Sequence, residues 1–231
     1  MPESIHISLK EDYESHYQDL SKASHEIMNY AATIGSTYQY IDAKYPETHE
    51  FKFWGNLGIS ISQLCSFMKQ SSICRYCHFP HKDTVNIDAI MKLVYKTLEE
   101  CSYTDITSHI KLSVTNLQLS IYGDPDHIAA AIYQLIVNAY EANDDTFSKD
   151  IDVSFSSDDG YLTISVSNHG MICGNYSYEQ LAQAFFTTKS SHAGCGLYIA
   201  NIVCDRHGGY LSIGCCNNIT TVSLVLAMKS E

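Results

Sequence analysis

From Tyr13 onward, a seam residue recurs in strict alternation of four and three: Tyr13, Tyr17, Leu20, Ser24, Ile27, Ala31, Ile34, Tyr38 and Ile41. That spacing is the a/d seam of a coiled-coil-like helix. It predicts one helix from about residue 12 to about 44, stopped by Pro46 in YPETHE. A second stripe, Trp54, Leu57, Ile61, Leu64 and Met68, repeats the same spacing. Two amphipathic helices with a short connection make an antiparallel hairpin. A lone hairpin cannot cover its own apolar stripe. A second copy of the chain would cover it as a four-helix bundle dimer; the alternative is packing against the rest of the same chain.

The first helix also carries SHEIMN, in which His25 lies beside seam residue Ser24, Glu26 flanks it and Asn29 follows one turn later. An imidazole at the edge of a seam meets water, and a neighbouring carboxylate can hold its tautomer or take its proton. The same residues also read as an ordinary solvated helix face.

A chain of 231 residues, 45% hydrophobic and 11% aromatic, suits one good core or two modest ones. The formal net charge of −12 argues against binding to nucleic acid or an anionic membrane surface. The apolar run from Ile128 to Val137 is too short to span a bilayer, and the N-terminus shows no signal peptide. The expectation is a soluble, cytoplasmic protein without membrane insertion. Its nine cysteines then read as reduced core residues. Cys74, Cys77, His78 and His81 in CRYCHFPH have the types needed for zinc or haem attachment, but the stretch reads better as a helix end followed by a linker.

The character of the sequence changes at HFPHKDTVN, which places a helical domain at residues 1–78 and a second domain at 79–231. In the latter, Ile87, Ile90, Met91, Val94 and Leu98 form a helical face, and HIKLSVT and LQLSIYG alternate as strands. A helix capped by Asp124 starts at Pro125. Two strands follow around an Asp-Gly turn, then a helix from near Gly196 to a left-handed cap at Gly208, then two strands. Helices with antiparallel strands imply an α+β sandwich.

QLIVNAYEA, SNHG, AFFTTK and AGCGLYIANIVCDRHGG stand in the order of the N, G1, F and G2 boxes of sensor histidine kinases, and SHEIMN resembles their H box. The resemblance covers nearly the whole chain. It implies a dimerisation and histidine-phosphotransfer hairpin followed by an α/β sandwich of the Bergerat, or GHKL ATPase, type. The implied activity is transfer of the γ-phosphoryl group of Mg-ATP to His25, then to an aspartate on a response-regulator receiver domain. Glu26 is then the base or tautomer holder, and Asn29 the residue that orients water against a phosphorylated partner, which implies response-regulator phosphatase activity as well. The input would come from a separate sensor protein or from sequence outside this chain.

For the nucleotide, the resemblance makes Asn138 the Mg²⁺ ligand, a carboxamide oxygen being a hard donor suited to that ion. Gln134 stands one turn before it in place of the usual asparagine, and Glu141 one turn after, toward the water shell of the metal. Gly194 and Gly196, with Leu197, open a helix where backbone N–H groups can approach phosphate. Thr187, Thr188 and Lys189 fall in the lid, with Phe185 and Phe186 as its anchors. Asn168 occupies the place of the aspartate that accepts from the adenine amino group, with Gly170 the glycine after it. Ile172 stands where the second glycine of that box belongs, with Gly174 nearby, and His192 replaces the first glycine of the G2 box. Tyr30 replaces the proline that usually follows Asn29, so no kink is expected there.

Two other readings follow. A phosphotransfer or adaptor protein with degenerate nucleotide binding is favoured by Asn168 and His192 and opposed by FFTTK and Asn138. A gyrase-type or mismatch-repair-type ATPase needs a glutamate as base in the N box, and Gln134 cannot act as one.

Overall fold

The computed structural model describes residues 3–101, 103–114, 119–143, 149–170, 176–189 and 193–228, with side chains from Lys22 onward. Tyr13, Tyr17 and Leu20 of the seam therefore lie outside the described side chains, and Ile172, Gly174 and His192 outside the described residues. The chain divides after Ile73 into a helical unit, which also takes Lys189 and Ala193, and an α/β unit. This precedes the boundary at residue 78, because the last helical turn before it packs with the α/β unit through Cys74 and Tyr76.

The helical unit holds α1 (Glu3–Lys44), a 3-10 turn (Pro46–Glu50) and most of α2 (Trp54–Tyr76). The first helix starts earlier than the seam suggested and passes Tyr30 without a break. Its partner is antiparallel. Tyr38 stacks on Trp54 with ring centroids 4.6 Å apart, and Trp54 Nε1 donates to Asp42 Oδ1 at 2.6 Å. Further along, Gly35 faces Ile61, and the Cys65 thiol lies 3.6 Å from the Ala31 carbonyl. Gly58 gives the Tyr38 ring its room, since a Cβ there would lie 2.5 Å from the Tyr38 hydroxyl and the ring would have to shift. Part of each stripe is buried, Ser24 and Ala31 on α1 and Ile61 and Met68 on α2, while Tyr38, Ile41 and Trp54 are half-buried. The intervening residues are open, with Ile27 49%, Ile34 51%, Leu57 47% and Leu64 42% exposed.

The α/β unit contains β1 (Asp83–Asn86), α3 (Ile87–Glu100), α4 (Thr104–Thr107), β2 (Ile110–Val114), β3 (Ser120–Gly123), α5 (Pro125–Ala142), β4 (Ile151–Asp158), β5 (Tyr161–His169), α6 (Tyr178–Leu181), α7 (Gly196–Arg206), β6 (Tyr210–Cys216) and β7 (Ile219–Ala227). The short β1 and β3 pair antiparallel, apart from a five-stranded sheet of order β2-β4-β5-β7-β6. The sheet is mixed. The pairs β4–β5, β5–β7 and β6–β7 are antiparallel, whereas β2 runs parallel to β4. Alternation set by the pleat cannot distinguish the two pairings, so the expectation of antiparallel strands throughout is corrected here.

One face of the sheet, with Ile151, Val153, Phe155, Leu162, Ile164, Val166, Leu224 and Leu226 buried, packs against α5 and α7. α3 adds Ile90, Met91, Val94 and Leu98 by packing on α5. The opposite face is hydroxylic. Ser113, Ser154, Ser165, Ser223 and Ser212 form one cross-strand row, and Ser165 and Ser223 are hydrogen-bonded at 2.8 Å. Period-two alternation of apolar and hydroxyl residues thus directs one side of each strand to the core.

Candidate functional site

The polar stripe of α5 begins with a well-built N-terminus. Asp124 Oδ1 accepts from the backbone N–H groups of Asp126 and His127, at 3.0 and 3.1 Å, and its Oδ2 accepts from that of His81 at 2.6 Å. Pro125 sits in the first turn, where its missing N–H costs nothing. Two turns further, Gln134 is buried in the protein while Asn138 and Glu141 are half-buried. Glu141 bears on Tyr103 and Tyr133, whose phenols are raised first by burial and further by its charge.

The first residue of α7 meets this stripe directly. A Cβ on Gly196 would lie 2.8 Å from Asn138 Nδ2 and 3.2 Å from Gln134 Oε1. No side chain caps α7, because Cys195 at its N-cap makes no capping bond. The positive end of its dipole therefore lies close to the two carboxamides, with no capping side chain on its leading N–H groups. The turn before it is equally constrained. Gly194 has φ +69°, and a Cβ on it would come within 2.6 Å of the Phe185 and Phe186 backbone. Phe186 is half-buried against Tyr176 at 5.1 Å, but Phe185 adopts φ +65° and leaves its ring exposed. The Phe186 ring is therefore the more buried of the two, the Phe185 ring being 51% exposed. Thr187 and Thr188 are exposed and Lys189 half-buried.

Toward the C-terminal end of α5, Asn168 is buried near the end of β5, opposite Ile151 and Thr220. Its Nδ2 donates to the His169 carbonyl at 3.1 Å. Gly170, with φ +140°, approaches so closely that a Cβ would lie 2.7 Å from the Ala142 carbonyl at the end of α5. The Thr220 hydroxyl donates to the Gly170 carbonyl at 2.7 Å, and the Gly170 N–H to Asn218 at 2.9 Å. Sequence reasoning missed Thr220; only the strand register brings it opposite Asn168.

The α/β unit thus joins Gln134, Asn138, Gly194 and Gly196 along the C-terminal half of α5, with Gly170 beside its last residue, Ala142, one turn beyond Asn138, and Asn168 two residues before Gly170. Two carboxamides before an uncapped helix N-terminus suit a phosphate-bound divalent ion, so these residues fit the nucleotide and metal that the sequence implies. His25, Glu26 and Asn29 stand exposed on α1, in the helical unit. The CRYCHFPH side chains diverge: the Cys74 thiol is hydrogen-bonded to that of Cys195, and His78 Nδ1 lies 3.4 Å from Arg206 Nη2. His81 offers its backbone N–H to Asp124.

Residues 123–229 match the family model of the histidine kinase-, DNA gyrase B-, and HSP90-like ATPases. The α/β unit has the fold of that class, the GHKL ATPases. Sensor histidine kinase ZraS of Salmonella typhimurium is 25% identical over 200 residues, which are 82% of this chain and 41% of the relative. This chain therefore spans less than half the length of that curated relative. Among solved structures, full-length ShkA in complex with AMPPNP superposes with a TM-score of 0.64 at 15% identity, covering 93% of this chain and 47% of that one. Histidine kinase ThkA in complex with response regulator protein TrrA gives a TM-score of 0.59 at 21% identity, covering 95% of this chain and 64% of that one. These superpositions take in both the helical region and the α/β unit. Among the described residues, no helix is long and apolar enough to cross a membrane.

Proposed function

We propose that this chain is the kinase core of a two-component system, which binds Mg-ATP and phosphorylates itself on His25. The observation that carries this reading is the close approach of Gly196 to Asn138 and Gln134, which sets an uncapped helix N-terminus beside two carboxamides, a side-chain type whose oxygen is a hard donor. Asn138, with Gln134 beside it and Glu141 beyond, would hold Mg²⁺, whose charge neutralises the phosphate oxygens. Backbone N–H groups from Gly194 to Leu197 would cradle the phosphates, with Thr187, Thr188 and Lys189 over the distal ones. Asn168 would accept from the adenine amino group, with Gly170 giving the ring room. The AMPPNP complex of ShkA supports nucleotide binding at a site of this fold.

In the transfer step, an imidazole nitrogen of His25 attacks the γ-phosphorus and the bond to the ADP oxygen breaks. Glu26 takes the proton from the other ring nitrogen. The phosphoryl group then passes to a receiver-domain aspartate, a partner supported by the ThkA–TrrA complex. Asn29 directs water at that aspartyl phosphate in the reverse, phosphatase, role. We further infer that the open stripe of Ile27, Ile34, Leu57 and Leu64 is covered by a second copy, giving a homodimeric four-helix bundle.

Incubation with γ-labelled ATP tests the reading. The wild type should acquire an acid-labile, base-stable label, which His25→Ala abolishes without loss of ATP binding. Asn138→Ala should remove both. Labelling that persists in His25→Ala would place the acceptor elsewhere. Neither labelling nor ATP binding in the wild type would favour the adaptor reading, to which the neutral Asn168 gives its support.

A further inference from the structure

The residue between the two glycines of the α7 turn has a partner far away in the chain. Cys195 is fully buried and its side chain is hydrogen-bonded to that of Cys74, in the last turn of α2. Both belong to the α/β unit, and both are free thiols. The Cys195 sulfur is also hydrogen-bonded to the Phe185 backbone and stands at the N-cap of an 11-residue helix. Together these favour its thiolate: the bond from Cys74 lowers its pKa most, with burial opposing and the Phe185 backbone adding. Cys74 is correspondingly pushed up, by that bond first and by burial second, and remains the proton carrier. Such a pair has an unequal division of labour: one nucleophile, one donor.

We propose that Cys74 and Cys195 form a reversible disulfide that displaces the phosphate-binding turn and so lowers nucleotide affinity. This consequence rests on the ATP-binding reading above; the bond itself does not. With a peroxide as oxidant, the Cys195 thiolate attacks one oxygen, which becomes a sulfenic acid as the other leaves as water. The Cys74 sulfur then attacks the Cys195 sulfur, forming the disulfide and releasing a second water. Two thiols lose two electrons and two protons, and the peroxide gains them. A sulfur hydrogen bond spans roughly 3.5 to 4 Å and a disulfide about 2.05 Å, so closure draws the sulfurs together by more than an ångström. Gly194, which precedes Cys195, has no slack, since it abuts the Phe185–Phe186 backbone. The strain therefore falls on the turn whose N–H groups would meet phosphate.

The test treats the full chain with hydrogen peroxide and maps disulfides by mass spectrometry. Expected is a Cys74–Cys195 cross-linked peptide, two mass units lighter than its thiols and restored by dithiothreitol. Amide exchange in the first turn of α7 should change with it, a readout that needs no nucleotide. Mg-ATP affinity by calorimetry should fall at least tenfold on oxidation of the wild type and stay constant in oxidised Cys74→Ala. Cys74→Ser serves as a second, more conservative control. Absence of the Cys74–Cys195 peptide, or cross-linking only through the exposed Cys101, Cys215 or Cys216, would overturn the proposal. So would a formed bond with unchanged α7 exchange. A formed bond with altered exchange in a protein that never binds ATP would uphold the disulfide and sink the kinase reading instead.

Discussion

The imidazole of His207 joins the end of α7 to the start of α5. Its Nε2 accepts the Asp124 backbone N–H at 3.0 Å while Nδ1 lies 2.7 Å from the Val203 carbonyl. An amide can only donate and a carbonyl only accept, so the ring is neutral with its proton on Nδ1. Asp124 is in turn the cap of the helix bearing Gln134 and Asn138. The ring thus fixes the relative placement of two helices that build the candidate site.

His207→Ala should destabilise the α/β unit by about 2 to 4 kcal/mol, from a buried amide left unpaired plus a cavity. Urea denaturation of the two proteins checks this. A loss under about 0.5 kcal/mol would mean that the bridge contributes nothing.

Acid should weaken the same unit. Burial, chiefly, lowers the pKa of both His207 and His127 below the ordinary value of 6.5. A histidine with a lowered native pKa binds fewer protons folded than unfolded. Its contribution is whole above about pH 6.5 and declines as pH falls from there toward the native value. Thermal melts between pH 5 and 8 should show that decline. His127 has no hydrogen bond to either ring nitrogen and stands edge-on to Tyr76 at 4.4 Å. His127→Phe should therefore keep the packing and flatten part of the acid limb; an unchanged pH profile would remove His127 from the account.

Gly196→Ala separates affinity from stability. Its methyl group would displace the mobile end of Asn138, not backbone. Folding should change by less than about 1 kcal/mol, helped by the helix propensity of alanine, while Mg-ATP affinity falls about tenfold. Calorimetry beside a thermal melt decides, and undiminished affinity would detach Asn138 from the metal.

Asn168→Asp should tighten ATP binding about fivefold, since an ionised acceptor holds the adenine amino group more strongly than an amide. GTP, which presents a carbonyl at that position, should gain less. The nucleotide-free protein should lose stability, because the new carboxylate faces the His169 carbonyl in place of the Nδ2 donor. ATP binding weakened by the substitution would mean that residue 168 does not meet adenine.

Ile27→Glu with Leu64→Glu should convert a dimer to monomers, by placing charge on faces that are open in one protomer. Sedimentation at micromolar concentration measures it. A wild type that is already monomeric would refute the four-helix bundle.

Much of this architecture is written in local pattern. The four-and-three seam, the Asp124 cap, the Asp-Gly turn and the left-handed Gly208, with φ +68°, are each settled by a few neighbouring residues. What escaped the sequence depends on distant partners. β1 carries no apolar alternation and becomes a strand only by pairing with β3, and nothing in HIKLSVT shows that β2 lies parallel to β4. The glycines of the site were visible as letters, but their necessity appears only from Ala142, Phe185 and Asn138 crowding them. The bond between Cys74 and Cys195 joins two motifs that sequence reasoning treated separately, one as a linker and the other as a phosphate turn.

The parallel pairing of β2 with β4 bears on the order in which the sheet assembles. Tight turns link β4 to β5 and β6 to β7, so each of these hairpins closes over a short loop and can form early. Ile110 meets Ile151 only after β3 and the whole of α5 have been threaded between them. Loop-closure entropy opposes that contact more than any hairpin contact. β2 therefore docks after the two hairpins close, and until it does the β4 edge remains an unpaired ladder of N–H and C=O groups open to association with other chains.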